Sequence, residues 1–222
     1  MRSVYVHIPF CKSICSYCDF CKFLHKEEWA NLYLDALSKE IDEYYEGDTV
    51  KTIYIGGGTP SCLSIENIHR LFSILKKLKL STSYEITFEC NIDDISHDLL
   101  ETLALYGVNR LSIGIESFNE KNLKFMNRHY NKKEIIEKIK LCRIHDFDNI
   151  NVDLIYALPN ESLFTVKRDL NNILKLGVEH ISTYSLIIEN NTALSIKNAK
   201  PISEDLESKM YYYICYFVHY RN

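Results

Sequence analysis

Six short runs rich in β-branched and aromatic residues recur along the chain: VYVHI (4–8), TIYIG (52–56), YEITFE (84–89), RLSIGI (110–115), NINVDLIY (149–156) and HISTYSLII (180–188). A longer helix-periodic stretch follows each. This alternation constrains the fold strongly, because two sequential strands can pair in parallel only through a long crossover, usually a helix. Leu34, Leu37, Ile41 and Tyr44 repeat at helical spacing and stop at Gly47. Ile68, Leu71, Phe72 and Leu75 follow a candidate Ser64 cap, and Leu99, Leu100 and Leu103 follow Ser96. Ile135, Ile139 and Cys142, then Leu163, Val166, Leu170 and Ile173, and finally the aromatic run at 210–220 predict three more helices. Two helix-to-strand joints, GVNRLS (107–112) and GVEHIS (177–182), place Gly where a helix would end. Six β/α units follow, with a parallel sheet in an open or barrel arrangement, and no Pro/Gly/Ser-rich linker divides them.

Composition narrows the function. The 222 residues are 46% hydrophobic and 25% charged, which is the balance of a folded chain. A net charge of −4 supplies no basic field, so nucleic acid is not an expected partner. No apolar run approaches the roughly 18 residues that span a bilayer, and the opening MRSVYVHIPF is short for a signal peptide. The expected location is the cytoplasm. There, the eight cysteines are not expected to pair as disulfides, and the tight cluster at 11–21 reads as metal-binding or catalytic. Cys62, Cys90, Cys142 and Cys215 are scattered and read as small buried hydrophobes.

In parallel α/β folds, ligands gather at the C-terminal ends of the strands. Strand one runs into CKSICSYCDFC (11–21), and strand two into GGGTPS (56–61). Strand three ends at Glu89 and Asn91, strand four at Glu116; strand five carries Asp153, and strand six leads to Tyr184 and Ser185. Charged groups in or beside a buried strand are costly unless paired, so these carboxylates are either structural ion pairs or ligand contacts. Consecutive glycines let backbone amides approach a ligand, or simply make a tight turn. The glycine run is neither a P-loop nor a dinucleotide fingerprint.

Cys11, Cys15 and Cys18 form C-x3-C-x2-C. A structural zinc site needs four ligands, which Cys21 could complete. Thiolates also hold iron–sulfur clusters, and three around a four-iron cluster leave one iron open to a substrate or cofactor.

C-x3-C-x2-C with Tyr17 before its last cysteine resembles the signature of the radical S-adenosylmethionine (SAM) superfamily. YVHIPFC, GGGTPS, RLSIGIESFN and DLIYALP resemble motifs of the oxygen-independent coproporphyrinogen III oxidase family and its heme chaperone branch, HemW. The resemblance covers residues 5 to about 192. It implies a (β/α)6 partial TIM-like barrel with a [4Fe-4S] cluster on Cys11, Cys15 and Cys18, and SAM on the open iron, where an electron from the cluster can cleave it to a 5′-deoxyadenosyl radical. By the same resemblance Tyr5 and Tyr17 lie beside cluster and SAM. Gly57, Gly58 and Thr59 bind the methionine end through the backbone, and Glu89, Glu116, Arg128 and Asp153 contact SAM or a second SAM molecule. Glu116 departs from the family's Gln, which loses an amide donor and adds a charge.

The oxidase pattern places a fourth cysteine two residues after the third, where this chain has Phe20; Cys21 comes one residue later. The oxidase's N-terminal extension is also expected to be missing. Both departures favor the heme chaperone branch, with heme bound and passed to an acceptor protein and an electron-donor protein as a further partner. The alternative is an enzyme that decarboxylates porphyrinogen propionates; a colorless zinc protein is the third reading. Residues 1–200 are expected to form the radical SAM core and 201–222 its final helix, with the family's C-terminal domain absent. The run YYYICYFVHY (211–220) reads as a packing face, with a heme surface using His219 as the alternative.

Overall fold

All six expected strands form. The computed structural model describes the backbone of residues 2–221 and the side chains of residues 2–220. In chain order the elements are β1 (Arg2–Ile8), β2 (Phe10–Cys11), β3 (Phe23–Leu24), α1 (Glu27–Tyr44), β4 (Val50–Gly57), α2 (Ile65–Leu75), β5 (Leu80–Asn91) and α3 (His97–Leu105). They continue as β6 (Arg110–Glu116), α4 (Glu120–Phe125), α5 (Lys132–Ile144), β7 (Ile150–Tyr156), α6 (Leu163–Leu176), β8 (His180–Ser185), α7 (Ala193–Ile196) and α8 (Glu204–Arg221). The six long strands make one parallel sheet in the order β1-β4-β5-β6-β7-β8, so each new strand is added beside the last through a helical crossover. In register, Tyr5 pairs with Tyr54 and Ile8 with Gly57, while Asp153 pairs with Ser182. No helix among the described residues is long and apolar enough to cross a membrane.

The helix starts follow local chemistry. Ser64 Oγ accepts from the Asn67 amide at 3.2 Å, and Ser96 Oγ from the Leu99 amide at 3.2 Å. Each satisfies one of the donors that a helix leaves open at its first turn. Gly107 and Gly177 both adopt positive φ, +75° and +64°, just past α3 and α6, as the two matching joints require. The expected sixth strand is shorter than its apolar run: β8 stops at Ser185. The Leu186 amide still reaches the Tyr156 carbonyl at 2.8 Å, but Ile187 turns out to solvent and pairing ends there. The short helices α4 and α7 have no periodicity long enough to read from sequence. They are set by side-chain caps from Asn119 and Thr192.

By its internal packing the chain divides into two units. The first comprises residues 1–13, 20–113 and 138–150, and the second residues 14–19, 114–137 and 151–222. The first unit buries Ile8, Leu34, Ile55, Ile68, Leu71, Phe88, Leu100 and Leu103 almost completely. The second buries Leu123, Met126, Leu154, Leu170 and Ile173. Each such side chain stabilizes its unit by about 1.5–3 kcal/mol relative to exposure. Cys62, Cys90 and Cys142 are buried as expected, but Cys215 is exposed, which corrects its reading as a core residue.

Candidate functional site

In the first unit, the cysteine segment and the glycine loop are fastened together. β2 and β3 pair in parallel, Phe10 with Phe23 and Cys11 with Leu24, and so close the base of the cysteine loop. The Gly58 amide donates to the Ile8 carbonyl at 2.8 Å and the Thr59 amide to the Phe10 carbonyl at 2.7 Å. The Thr59 hydroxyl reaches the Cys11 sulfur at 3.4 Å. Cys11 is buried, so this contact holds the thiol in one orientation.

The glycines are dictated by space. A Cβ on Gly58 would stand 2.7 Å from the Phe10 carbonyl oxygen, and one on Gly56 would stand 2.7 Å from the Glu89 carboxyl. Gly57 has φ +119°, and its Cβ would meet the His7 ring at 2.6 Å. That ring is held from both sides: Nδ1 lies 3.1 Å from the Tyr5 hydroxyl and Nε2 lies 3.1 Å from the Cys21 carbonyl. Glu89 accepts from the Tyr54 hydroxyl at 2.7 Å and from the Gly57 amide at 3.1 Å. Its carboxylate therefore fixes the tip of the glycine turn. Burial, and then the Glu89 charge, push the Tyr5 phenol above its ordinary value.

In the second unit, the organizing group is an ion pair. Arg128 Nη2 donates to Glu116 Oε1 at 2.9 Å, with only 13% and 7% of the two side chains exposed, and the Tyr17 hydroxyl donates to the same oxygen at 3.0 Å. Glu116 sits at the end of β6 with φ +55°, a left-handed conformation that is uncommon for a non-glycine residue. Gly114 makes room for the pair: a Cβ there would approach Glu116 Oε1 to 2.9 Å. Burial opposes the charge on Arg128, and Glu116, Tyr130 and Tyr17 overcome it, so the guanidinium is held well above its usual range. Burial and then Glu116 push the Tyr17 phenol well up. Burial also raises the Cys15 thiol, with Arg128 opposing and Glu116 adding to the rise. Loading a metal on such a thiol must displace its proton.

The remaining cysteine segment is anchored within the same unit. The Cys18 amide donates to the Cys15 carbonyl at 3.3 Å in a tight turn, the Ser16 amide to the Met126 carbonyl, and the Leu194 amide to the Ser16 carbonyl. Asn127 Nδ2 donates to the Ile14 carbonyl at 2.9 Å. Asp153, partly buried in β7, accepts from Asn151 Nδ2 at 2.9 Å.

Of the residues singled out from sequence, Tyr5, Cys11, Gly57, Gly58, Thr59 and Glu89 lie in the first unit, and Cys15, Tyr17, Cys18, Glu116, Arg128 and Asp153 in the second. Among the described residues no group of three His, Cys, Asp or Glu side chains stands ready to hold a single metal ion. Sequence reasoning passed over His7 and Tyr54. Both sit inside strands that read as apolar, and their signal is position: each precedes a candidate ligand loop by a few residues.

The sequence model of the radical SAM superfamily matches residues 5–173. The heme chaperone HemW of Lactococcus lactis is 38% identical over 218 residues, covering 96% of this chain and 57% of that protein. The heme chaperone HemW of Bacillus subtilis is 39% identical over 198 residues, covering 86% of this chain and 52% of that protein. The solved structure of coproporphyrinogen III oxidase (HemN) from Escherichia coli, described as a radical SAM enzyme, matches with a TM-score of 0.88 at 28% identity, over 98% of this chain and 52% of that one. The chain thus spans little more than half the length of these relatives.

Proposed function

The chain belongs to the radical SAM superfamily, and from that premise we propose that it is a cytoplasmic [4Fe-4S]- and SAM-binding protein of the heme chaperone branch, binding heme and passing it to an acceptor. Cys11, Cys15 and Cys18 would hold the cluster as thiolates, three protein ligands for a four-iron group, with SAM bound beside it. When bound, the cluster supplies single-electron chemistry toward SAM, with an electron-donor protein as the source. The other groups bind and orient. Gly57, Gly58 and Thr59 offer backbone to the methionine end, Tyr5 and Tyr17 flank cluster and SAM, and Glu89, Glu116, Arg128 and Asp153 make polar contacts to SAM or a second SAM.

The observation that carries this reading is the seam in the first unit. There a buried candidate thiol is tied by Thr59 to a loop whose glycines leave no room for a Cβ. Soft thiolate donors suit iron, and the glycine turn, packed against His7, Phe10 and Glu89, fixes its backbone beside one of them. The chaperone branch is supported by 38–39% identity to two proteins of that name, and by Phe20 standing two residues past Cys18. The likeness to the solved oxidase favors a second reading, radical decarboxylation of porphyrinogen propionates.

Anaerobic reconstitution with iron and sulfide is expected to give about four irons per chain, lost in Cys15→Ser and kept in Cys21→Ser; a colorless zinc protein would sink the assignment. The loaded protein is then given reductant, SAM and coproporphyrinogen, and tetrapyrroles are followed by mass. Unchanged porphyrinogen together with a Soret shift on heme titration is the expected result. Protoporphyrinogen formation would establish the oxidase reading instead.

A further inference from the structure

Two consecutive residues of the cysteine segment grip the same short turn. Cys11 does so through the Thr59 hydroxyl, 3.4 Å from its sulfur. Lys12 reaches the turn through an intermediary: its Nζ donates to Asp94 Oδ1 at 2.6 Å, and Asp94 Oδ2 accepts from the Ser61 hydroxyl at 2.9 Å. Ser61 belongs to the single helical turn Pro60–Cys62 that follows the glycine run, and its oxygen in turn accepts from the Asn91 amide at 3.0 Å. Both carboxylate oxygens of Asp94 are therefore engaged, and the Ser61 hydroxyl is oriented from two sides. All of these residues lie in the first unit.

Burial of the ion pair is one-sided. The Asp94 side chain is 2% exposed and the Lys12 side chain 62%, so the ammonium closes over a carboxylate that water scarcely reaches. Pairs open to solvent on both sides, such as Arg2 with Glu46 and Lys133 with Glu137, are worth little. Asp94 is different, because pulling Lys12 away strands a buried charge. The cysteine segment is thus latched beside its first candidate ligand. These charges also act near sulfur: burial, then Asp94, then Cys11 push the buried Cys62 thiol up to about 12, with Lys12 opposing. One strand end serves both loops, since Glu89 in β5 takes the Gly57 amide at 3.1 Å and Asp94, just past that strand, takes Lys12.

We propose that Lys12 is a positioning residue for the cluster ligand Cys11: latched by Asp94 and Ser61, it docks the first cysteine on the glycine loop and sets two cancelling charges beside the cluster. No bond is made or broken in this role and no proton moves. The inference rests on the cluster-binding reading above and names the residues that fix the place of its first ligand.

The test compares the full chain, reconstituted with iron and sulfide, with Lys12→Met, Lys12→Arg, Asp94→Asn and the double variant Lys12→Met/Asp94→Asn, checking helicity for each. Iron release to a chelator measures the latch, and the cluster's midpoint potential, read by electron paramagnetic resonance during reductive titration, measures the charges. Lys12→Met and Asp94→Asn are each expected to release iron about tenfold faster than wild type, Lys12→Arg to stay within about twofold, and the double variant to be no faster than either single, since both remove one shared contact. The potentials are expected to split in sign. Lys12→Met leaves a net negative charge and moves the reduced-to-oxidized ratio about threefold toward oxidized, about 28 mV downward at about 59 mV per tenfold. Asp94→Asn leaves a net positive charge and moves it upward by a similar amount, while the double variant returns to the wild-type value. A merely structural anchor would move both singles the same way. Should Lys12→Met fail to fold, Asp94→Asn and the double variant still give the comparison. Unchanged iron release in the single variants, or potential shifts of one sign, would remove Lys12 from this role and leave the cluster reading standing. A wild-type chain that takes up no four-iron cluster would overturn both.

Discussion

The glycines at 56–58 in the first unit work by leaving space, whereas Glu116 and Arg128 in the second work by neutralizing each other where water is scarce. A Cβ on any of the three glycines meets an atom within 2.7 Å, so the first unit's tolerance is set by sterics. Around Glu116 what counts is charge: one oxygen accepts from both Arg128 and Tyr17. Overlap of a methyl group can be relieved by small shifts, but an unpaired buried carboxylate has no comparable escape. The two regions should therefore differ in how they fail.

Arg128→Met offers the largest contrast. It leaves Glu116 buried with no countercharge from position 128, a loss of about 3–5 kcal/mol by analogy with broken buried ion pairs, and denaturant unfolding should show it. A loss below about 1 kcal/mol, the range of exposed pairs, would mean that solvent reaches the pair after all.

Glu161 sharpens the point, because it is a buried carboxyl of the second unit. It accepts from Asn122 Nδ2 at 2.8 Å and from the Leu158 amide at 3.2 Å, and burial pushes it up to about 7. The folded state thus holds its proton more tightly than the unfolded chain does. Its contribution to stability is complete below the ordinary carboxylate value near 4.5 and is lost as the pH rises to about 7. At about 1.4 kcal/mol per pKa unit, that loss amounts to up to roughly 3 kcal/mol. Glu161→Gln, with Asn122 turning its amide over to match, should flatten the fall in melting temperature between about pH 5 and pH 8. An unchanged pH profile would rule Glu161 out as its source.

Gly57→Ala tests the steric side. Positive φ and a His7 ring held at both nitrogens leave little room, and a loss of about 1–3 kcal/mol is expected. A neutral outcome would show that the His7 ring gives way. Ser64→Ala, which removes the α2 cap and the hydroxyl's 2.9 Å bond to Glu27 Oε1, should cost about 1–2 kcal/mol and lies outside both regions as a baseline.

The order of strands and helices was legible because each long element repeats its apolar residues at its own period, as Leu34, Leu37 and Ile41 do in α1. Strand ends were less so: nothing in HISTYSLII says that pairing stops at Ser185, since Leu186 and Ile187 are equally apolar and differ only in what they meet. The candidate site residues were legible through motif and rim position. Their supports were not. That Gly114 clears space for Glu116 depends on the left-handed turn of Glu116 at the strand end, and that His7 braces Gly57 depends on a contact between neighboring strands; no local pattern encodes either. α8 shows the same limit, for one aromatic run supplies both its buried side, with Ile214 and Phe217, and its open side, with Tyr212 and Tyr216.

The short β2–β3 ladder has a further consequence. By joining Phe10 to Phe23 and Cys11 to Leu24, it turns the intervening eleven residues into a closed ring before any metal arrives. Closure entropy for a loop of this size is then already met by the fold, so under the proposed cluster assignment the segment would act as a macrocyclic chelator rather than an open chain. Loss of the proposed cluster should then leave the ring shut, ready to be filled again without refolding.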